Sequence, residues 1–319
     1  MMSDPNTFIH YIDDDFTTSS LDLEGIFGGF FAELVWALVV NKTDKTLTVA
    51  FRGSINVQDW IADLNLFMVD CDLPGYTSDE AVGKSAKYGR VHGGFYEYLF
   101  SKTKAGRNGS TKSKAEEIVG MLRGLLAQPE YEGYSIVVTG HSLGGSLSTL
   151  FAYRCACLDD FGPAMITNVS FASPLVGDAD FRAKFVELER KRKIRHLRVS
   201  NYQDLVTLMF ASSLPTLRSG LETYKHVGMN IRLYDGGDLL APSYRRFYPK
   251  EGDLLNGLRN TVHGNIPLAL SVGVIGRHLL PEYTKRLSNK DTKKYLQSLT
   301  LDQLYGNEEV TGWEYLDAE

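Results

Sequence analysis

The most informative stretch of the chain reads Tyr134-Ser-Ile-Val-Val-Thr-Gly-His-Ser-Leu-Gly-Gly-Ser146. A β-branched run precedes the Gly-His-Ser-Leu-Gly core and an amphipathic run follows it. This pattern predicts a strand, a sharp turn at Ser142 and a helix. Small residues such as Gly140 and Gly144 let the strand and the helix approach closely, and the start of the helix directs backbone N–H groups toward the serine. The stretch therefore predicts a nucleophile elbow around Ser142.

Strand and helix patterns alternate on the carboxyl side of this turn. Strands are predicted at 135–139, 168–173 and 194–200, and helices at 144–158 and 180–192. Such alternation is typical of a parallel sheet with helices packed on its faces. The sequence therefore predicts an α/β fold with a central, mostly parallel sheet.

The amino-terminal half carries further elements of the same fold. Residues 47–51 predict a strand, and residues 30–40 predict a preceding strand that pairs with it. Helices are predicted at 57–67, 93–100 and 115–126. No repeat and no long linker divides the chain. We therefore expect one domain over 1–319, with an amino-terminal extension at 1–29 and a carboxyl-terminal strap at 288–319.

The composition limits the classes of function. The 319 residues are 43% hydrophobic and 23% charged, with a formal net charge of -5. This acidic balance argues against a nucleic-acid partner. The three cysteines, Cys71, Cys155 and Cys157, lack metal-ligand spacing, so no metal site is predicted. No cofactor is expected either. The longest apolar run, at 25–40, contains Glu33 and is short of the ~20 residues that span a bilayer. No transmembrane segment is therefore expected.

The amino terminus bears on the location of the protein. Met1-Met2-Ser3-Asp4-Pro5 lacks the basic and then apolar pattern of a secretory leader. The expectation from this observation is a cytoplasmic protein.

A serine nucleophile needs a base and an orienting carboxylate. In α/β-hydrolases the acid and then the histidine follow the serine along the chain. Asp204 lies just after the predicted strand 194–200, in a loop that can direct it to the sheet edge. Asp178 and Asp180 stand at a helix start, where capping is their expected role. Asp204 is therefore the favoured acid.

Three histidines follow this aspartate, and the residue pattern alone leaves the base open. His226 lies in an alternating run at 224–234 and has the pattern of a strand residue. His263 precedes a glycine in a loop, and His278 follows the apolar stretch 266–275. Both of the last two remain candidates for the base.

Several ordered blocks of the sequence resemble the class 3 (fungal-type) lipase family, which has the α/β-hydrolase fold. They are Phe51-Arg52-Gly53-Ser54, Asp59-Trp60-Ile61-Ala62-Asp63-Leu64, Val91-His92-Gly93-Gly94-Phe95, the nucleophile block 139–145, Ser173-Pro174-Leu175-Val176-Gly177-Asp178 and 201–206. The resemblance extends over about residues 47–287, most of the chain.

The resemblance implies roles for individual residues. Ser142 corresponds to the nucleophile and Asp204 to the acid. Ser54 and Leu143 correspond to the residues whose backbone N–H groups form the oxyanion hole. His278, followed by a tyrosine and a leucine-containing helix, fits the family pattern of the base better than His263 does.

The resemblance also implies a substrate class. The segment 55–67 stands where the family carries an amphipathic lid, and it contains an apolar stripe of Trp60, Ile61, Leu64 and Phe67. The expected activity is hydrolysis of acylglycerol esters through an acyl-enzyme, with peripheral contact to lipid surfaces. The alternatives are a phospholipase or galactolipase of the A1 type, a short-chain esterase and, from another class, a non-catalytic hydrolase-fold binding protein.

Overall fold

The computed structural model describes residues 7–13, 36–53, 67–73, 88–101, 112–161, 166–208, 224–235, 243–247 and 276–299. Its strands are β1 (Thr7–Asp13), β2 (Trp36–Asn41), β3 (Thr46–Phe51), β4 (Met68–Asp70), β5 (Arg90–His92), β6 (Ser135–His141), β7 (Ile166–Phe171), β8 (Ile194–Asn201), β9 (Met229–Leu233) and β10 (Tyr244–Phe247). Its α-helices are α1 (Gly93–Phe100), α2 (Lys114–Leu126), α3 (Leu143–Leu158), α4 (Ala179–Arg190), α5 (Leu280–Leu287) and α6 (Lys290–Ser298).

Eight of the ten described strands form one large sheet. Its strand order is β1-β2-β3-β6-β7-β8-β9-β10, and β4 pairs with β5 in a separate ribbon. The five strands from β3 to β9 in this order run parallel, while β1, β2 and β10 join through antiparallel pairs at the two sides. The predicted α/β class with a mostly parallel central sheet is confirmed.

Burial differs along the sheet for a physical reason. Side chains of β2 alternate between buried and partly buried positions, whereas all eight residues of β8 are buried. On β8, His196 packs against Phe185 of α4, and its neighbour Leu197 belongs to a core cluster with Tyr283 of α5. A parallel strand that is covered on both faces therefore has no solvent-facing positions.

The central helix α3 is buried along almost its whole length. Fourteen of its 16 residues, among them Arg154, are buried. The sequence predicts an amphipathic helix here, and the broader burial arises because α3 contacts β3, β6, β7 and β8 as well as α1 and α4. Of the described helices, none has both the length and the hydropathy to cross a bilayer.

Most predicted elements agree with the structure to within a few residues. The predicted pairing of 30–40 with 47–51 is the antiparallel pair β2–β3. Thr7–Asp13, within the predicted amino-terminal extension, is the edge strand β1, and α6 lies within the predicted carboxyl-terminal strap. The predicted helix at 57–67 lies outside the described residues except for Phe67.

The interpretation of His226 as a strand residue is wrong. It lies in the connection before β9, which begins at Met229. Gly228 interrupts the extended run with φ +71°, and a Cβ atom there would lie 2.6 Å from the His196 ring. The alternating pattern at 224–234 therefore becomes a strand only after this turn.

The approach of α3 to the sheet requires glycine. A Cβ atom on Gly140 would lie 2.2 Å from the Gly144 carbonyl oxygen, and one on Gly144 would lie 2.2 Å from the Phe51 carbonyl oxygen. Backbone atoms cannot move aside as a flexible side chain can. Residues without side chains at both positions are therefore a condition for the strand–turn–helix junction.

Replacement of Gly144 by alanine tests this close approach. We expect Gly144→Ala to lower the free energy of unfolding by about 3 kcal/mol, because overpacking against backbone forces the junction apart. Gly120→Ala in α2 is the matched control, since nothing lies within 4 Å of its Cβ position. It should raise stability by about 0.5–1 kcal/mol. Urea unfolding of both variants measures the difference, and equal stabilities would contradict the prediction.

Candidate functional site

Ser142 lies at the turn between β6 and α3 in an uncommon backbone conformation. Its φ is 58° and its ψ is −125°, a region that side-chain-bearing residues seldom adopt. Its N–H donates to the Phe171 carbonyl at 2.9 Å, and its own carbonyl accepts from the Gly145 N–H at 2.9 Å. These bonds hold the turn so that the Ser142 hydroxyl projects from the carboxyl edge of the sheet.

His278 reaches this serine from 136 residues downstream. Its Nε2 lies 2.8 Å from Ser142 Oγ, and its Nδ1 lies 3.0 Å and 3.1 Å from the two carboxylate oxygens of Asp204. Each of the three residues is at most 1% exposed. The structure thus brings together the predicted serine, histidine and aspartate in one continuous chain of hydrogen bonds. The alternative base, His263, lies outside the described residues.

The loop after β8 orients Asp204. The residue follows Asn201 and opens a 3-10 turn at Leu205–Leu208. The Val206 N–H donates to Asp204 Oδ1 at 3.1 Å, and the Thr207 hydroxyl donates to the Asp204 carbonyl at 2.7 Å. This short turn therefore holds both the backbone and the carboxylate of Asp204.

Tyr283 is a second support of this carboxylate. Its hydroxyl donates to Asp204 Oδ2 at 2.6 Å and accepts from the Asn201 N–H at 2.9 Å. Burial, followed by the nearby charge of Asp204, raises the pKa of Tyr283 well above its ordinary value. The phenol therefore remains a donor. The sequence indicates the tyrosine as part of the block after His278, but it does not reveal this hydrogen bond.

His141 and Asn201 fix the segment that carries His278. His141 Nε2 lies 2.8 Å from the His278 carbonyl oxygen, and Asn201 Nδ2 donates to the Arg277 carbonyl at 2.8 Å. Burial, and then the neighbouring His278, lower the pKa of His141 to about 4. His141 is thus neutral near pH 7 and donates from Nε2. Sequence reasoning missed both supports, because each partner is a backbone carbonyl more than 70 residues away.

The competing acidic residues have a structural role. Asp178 is the N-cap of α4, and its Oδ1 accepts from the Phe181 N–H at 2.8 Å. Asp180 lies in the first turn of the same helix. The capping role that the sequence predicts for this pair is confirmed for Asp178.

The other predicted site residues are only partly described. Leu143 is the buried first residue of α3, and N–H groups of a first helical turn have no partner within the helix. Ser54, Trp60, Ile61 and Leu64 lie outside the described residues, so their predicted roles stay predictions. Phe67 is described and is 40% exposed. No cluster of metal-ligating side chains occurs in the part of the chain that the structure describes.

Comparison with known proteins identifies sequence relatives. The sequence model of the family described as Lipase (class 3) matches residues 48–213. Phospholipase A1-II 5 of Oryza sativa subsp. indica is 30% identical over 227 residues, which are 69% of this chain and 44% of the relative. The chloroplastic galactolipase DONGLE of Arabidopsis thaliana is 27% identical over 204 residues, 59% of this chain and 41% of the relative. The matches thus cover less than half the length of these curated relatives.

Solved structures share the fold. The nonglycosylated LIP2 lipase of Yarrowia lipolytica has a TM-score of 0.57 at 22% identity, covering 86% of this chain and 80% of that chain. The lipase of Rhizopus microsporus var. chinensis has a TM-score of 0.51 at 17% identity, covering 81% and 71%. At these identities the likeness shows a common α/β-hydrolase architecture.

Stability should depend on pH through three histidines. Burial lowers the pKa of His141 to about 4, that of His196 to about 3 and that of His226 well below its ordinary value. Below about pH 6.5 these histidines therefore bind protons in the unfolded chain but stay unprotonated in the folded chain. The free energy of unfolding consequently falls as the pH falls. The slope approaches about 1.4 kcal/mol per pH unit for each histidine.

Urea unfolding between pH 7 and pH 5 measures this dependence. Stability should be highest at pH 7, and His196→Asn should remove about one of the three protons taken up on unfolding. An unfolding free energy that stays constant over this interval would contradict the prediction, because it would show that the folded and unfolded chains bind the same number of protons.

Proposed function

The chain belongs to the class 3 lipase family, and on that premise we propose that it hydrolyses carboxylic esters of glycerolipids through an acyl-enzyme on Ser142. The observation that carries the proposal is the hydrogen-bonded line from Ser142 Oγ through His278 to Asp204, with distances of 2.8 Å and 3.0 Å. A serine hydroxyl is a weak nucleophile until a base within hydrogen-bond reach accepts its proton. In this proposal His278 is that base, and Asp204 is the acid that orients it.

The proposed reaction has two similar halves. Neutral His278 accepts the proton of Ser142 as Oγ attacks the ester carbonyl, and Asp204 stabilises the resulting imidazolium. The backbone N–H of Leu143, together with that of Ser54 in the predicted oxyanion hole, stabilises the oxyanion. The alcohol then leaves with the proton from His278. Water repeats the sequence on the acyl-enzyme and releases the fatty acid and free Ser142.

The substrate is proposed from what the relatives have in common. The names of the sequence relatives are phospholipase A1 and galactolipase, and the fold neighbours are lipases. Each of these names implies a substrate with an acyl ester, in most cases on a glycerol backbone. We favour acylglycerols as the substrate. A phospholipase or galactolipase of the A1 type is a second candidate, which the 30% identity to a rice phospholipase supports.

A fluorophosphonate probe tests the nucleophile. We expect the native protein to be labelled and Ser142→Ala to lose both labelling and at least about 10⁴-fold in kcat. Ser148→Ala is the matched control, because Ser148 is a buried serine on α3 that donates to the Gly145 carbonyl instead of contacting His278. The Ser148→Ala variant should keep both the labelling and the kcat of the native protein. Folded native protein without labelling would favour the non-catalytic binding protein.

Rates on four substrates test the substrate class: a triacylglycerol emulsion, phosphatidylcholine vesicles, galactolipid dispersions and a soluble short-chain ester. Turnover of the first supports the acylglycerol proposal, and turnover of the second or third supports the A1 type. Activity confined to the soluble ester would overturn both in favour of a simple esterase.

Exposed leucines beside the base support contact with a lipid surface. Leu279 and Leu280 directly follow His278 and are 45% and 55% exposed. Apolar side chains at the rim of a site gain free energy by entering the boundary of a lipid phase. We therefore propose that this rim touches the lipid that holds the substrate.

A double substitution tests this contact. Leu279→Ser with Leu280→Ser should lower the rate on uncharged phosphatidylcholine vesicles about 30-fold, since each leucine loses about 1 kcal/mol of transfer free energy. The rate on a soluble ester should stay within about twofold. Lys285→Ser, at another exposed position of α5, is the control and should leave both rates unchanged. Equal losses on both substrates would argue against a surface-binding role.

A further inference from the structure

A partly buried polar connection lies behind the turn that carries Asp204. Arg198 of β8 points its guanidinium at His226, with Arg198 Nη1 only 2.6 Å from His226 Nδ1. The His226 ring also bonds to the backbone of Thr207, within the 3-10 turn after Asp204. The imidazole of His226 therefore links Arg198 on β8 to Thr207 in the turn after Asp204.

The chemistry of the partners determines the tautomer of His226. A guanidinium can only donate, so Nδ1 must accept and carries no proton. The remaining proton is therefore on Nε2, which leaves Nε2 as the ring nitrogen that can donate to the backbone of Thr207. Burial, and next the charges of Arg198 and Arg232, lower the pKa of His226 well below its ordinary value. The imidazole thus stays neutral, as this arrangement requires.

The charges around His226 are unusual for a purely space-filling role. Arg198 is 7% exposed, and burial followed by the charge of Arg232 lowers its pKa to about 9. His196, also on β8, is another neutral imidazole, because burial and then the charge of Arg198 lower its pKa to about 3. A buried cation that donates to a neutral ring costs solvation free energy that an apolar pair would not cost. This cost is offset if the contact holds the turn that carries Thr207 and Asp204 in place.

Thr207 connects this pair to the acid. Its hydroxyl donates to the Asp204 carbonyl at 2.7 Å, while Val206 in the same turn donates to Asp204 Oδ1. A shift of the Thr207 carbonyl therefore moves the groups that aim the carboxylate at His278. We propose that Arg198 and His226 are positioning residues, which hold the Thr207 turn so that Asp204 faces His278. This role rests on the proposed function.

Two replacements of His226 separate its two hydrogen bonds. In His226→Asn the short amide can still accept from Arg198, but it cannot reach the Thr207 carbonyl. In His226→Gln the longer amide places its N–H near the position of Nε2 and can donate there. We expect the asparagine variant to lose about 10- to 100-fold in kcat on a soluble ester with KM within about twofold. The glutamine variant should recover kcat to within about threefold of wild type.

His196→Asn is the control for loss of a buried imidazole. His196 is fully buried on the same strand as Arg198, but its Nε2 bonds to Ser170 on β7 and not to the turn. The His196→Asn variant should unfold at a lower urea concentration, and its kcat should equal that of the wild type. A second readout is the proton NMR resonance of the hydrogen between His278 Nδ1 and Asp204, which should shift in His226→Asn and stay in place in His196→Asn.

The outcomes distinguish this inference from the proposed function. Wild-type protein that neither hydrolyses esters nor reacts with the fluorophosphonate contradicts the proposed function itself. Active wild type with an equally active His226→Asn overturns only the positioning role, as does an equal loss of kcat in His196→Asn or a failure of glutamine to rescue. If His226→Asn does not fold, Arg198→Gln tests the connection from its other end without leaving a buried charge, and an unchanged kcat overturns the proposal.

Discussion

The close crossing of β6 and α3 is the constraint on which the rest of the site depends. Gly140 and Gly144 allow the crossing because their missing side chains leave room for backbone carbonyls. The crossing forces Ser142 into positive φ, which directs its hydroxyl away from both elements. A side chain that is presented in this way can meet a base from another part of the fold. The strain at Ser142 is compensated by the packing of α3, which is buried on nearly every side.

His278 and Asp204 are held by further hydrogen bonds besides the one that joins them to each other. His141 bonds to the His278 carbonyl, Asn201 bonds to the Arg277 carbonyl, and Tyr283 joins the Asp204 carboxylate to the end of β8. All of these groups lie at the carboxyl edge of the parallel strands, where loops from distant segments converge. The hydrogen bonds from Ser142 through His278 to Asp204 therefore have support from several segments at this edge of the sheet.

Much of this could be predicted because it depends on local pattern. The alternation of apolar runs indicates the parallel sheet, the glycines around Ser142 indicate the sharp turn, and the position of Asp178 before a helix indicates a cap. Other features depend on contacts between distant segments. Tyr283 and Asp204 are 79 residues apart, and Gly228, which has positive φ just before β9, lies against the side chain of His196. No periodicity in one segment can encode such contacts.

The sequence alone determined the fold class, the sharp turn at Ser142 and a short set of candidate acids and bases, since each follows from residue types at fixed local spacing. It left His263 and His278 undecided on pattern alone, and only the family resemblance favoured the second. The tertiary structure brought His278 to 2.8 Å from Ser142, and it joined Tyr283 to Asp204, His141 to the His278 carbonyl and Asn201 to the Arg277 carbonyl. The physical reason is that a hydrogen bond depends on distance and direction in space, and chain order specifies neither until the sheet has formed.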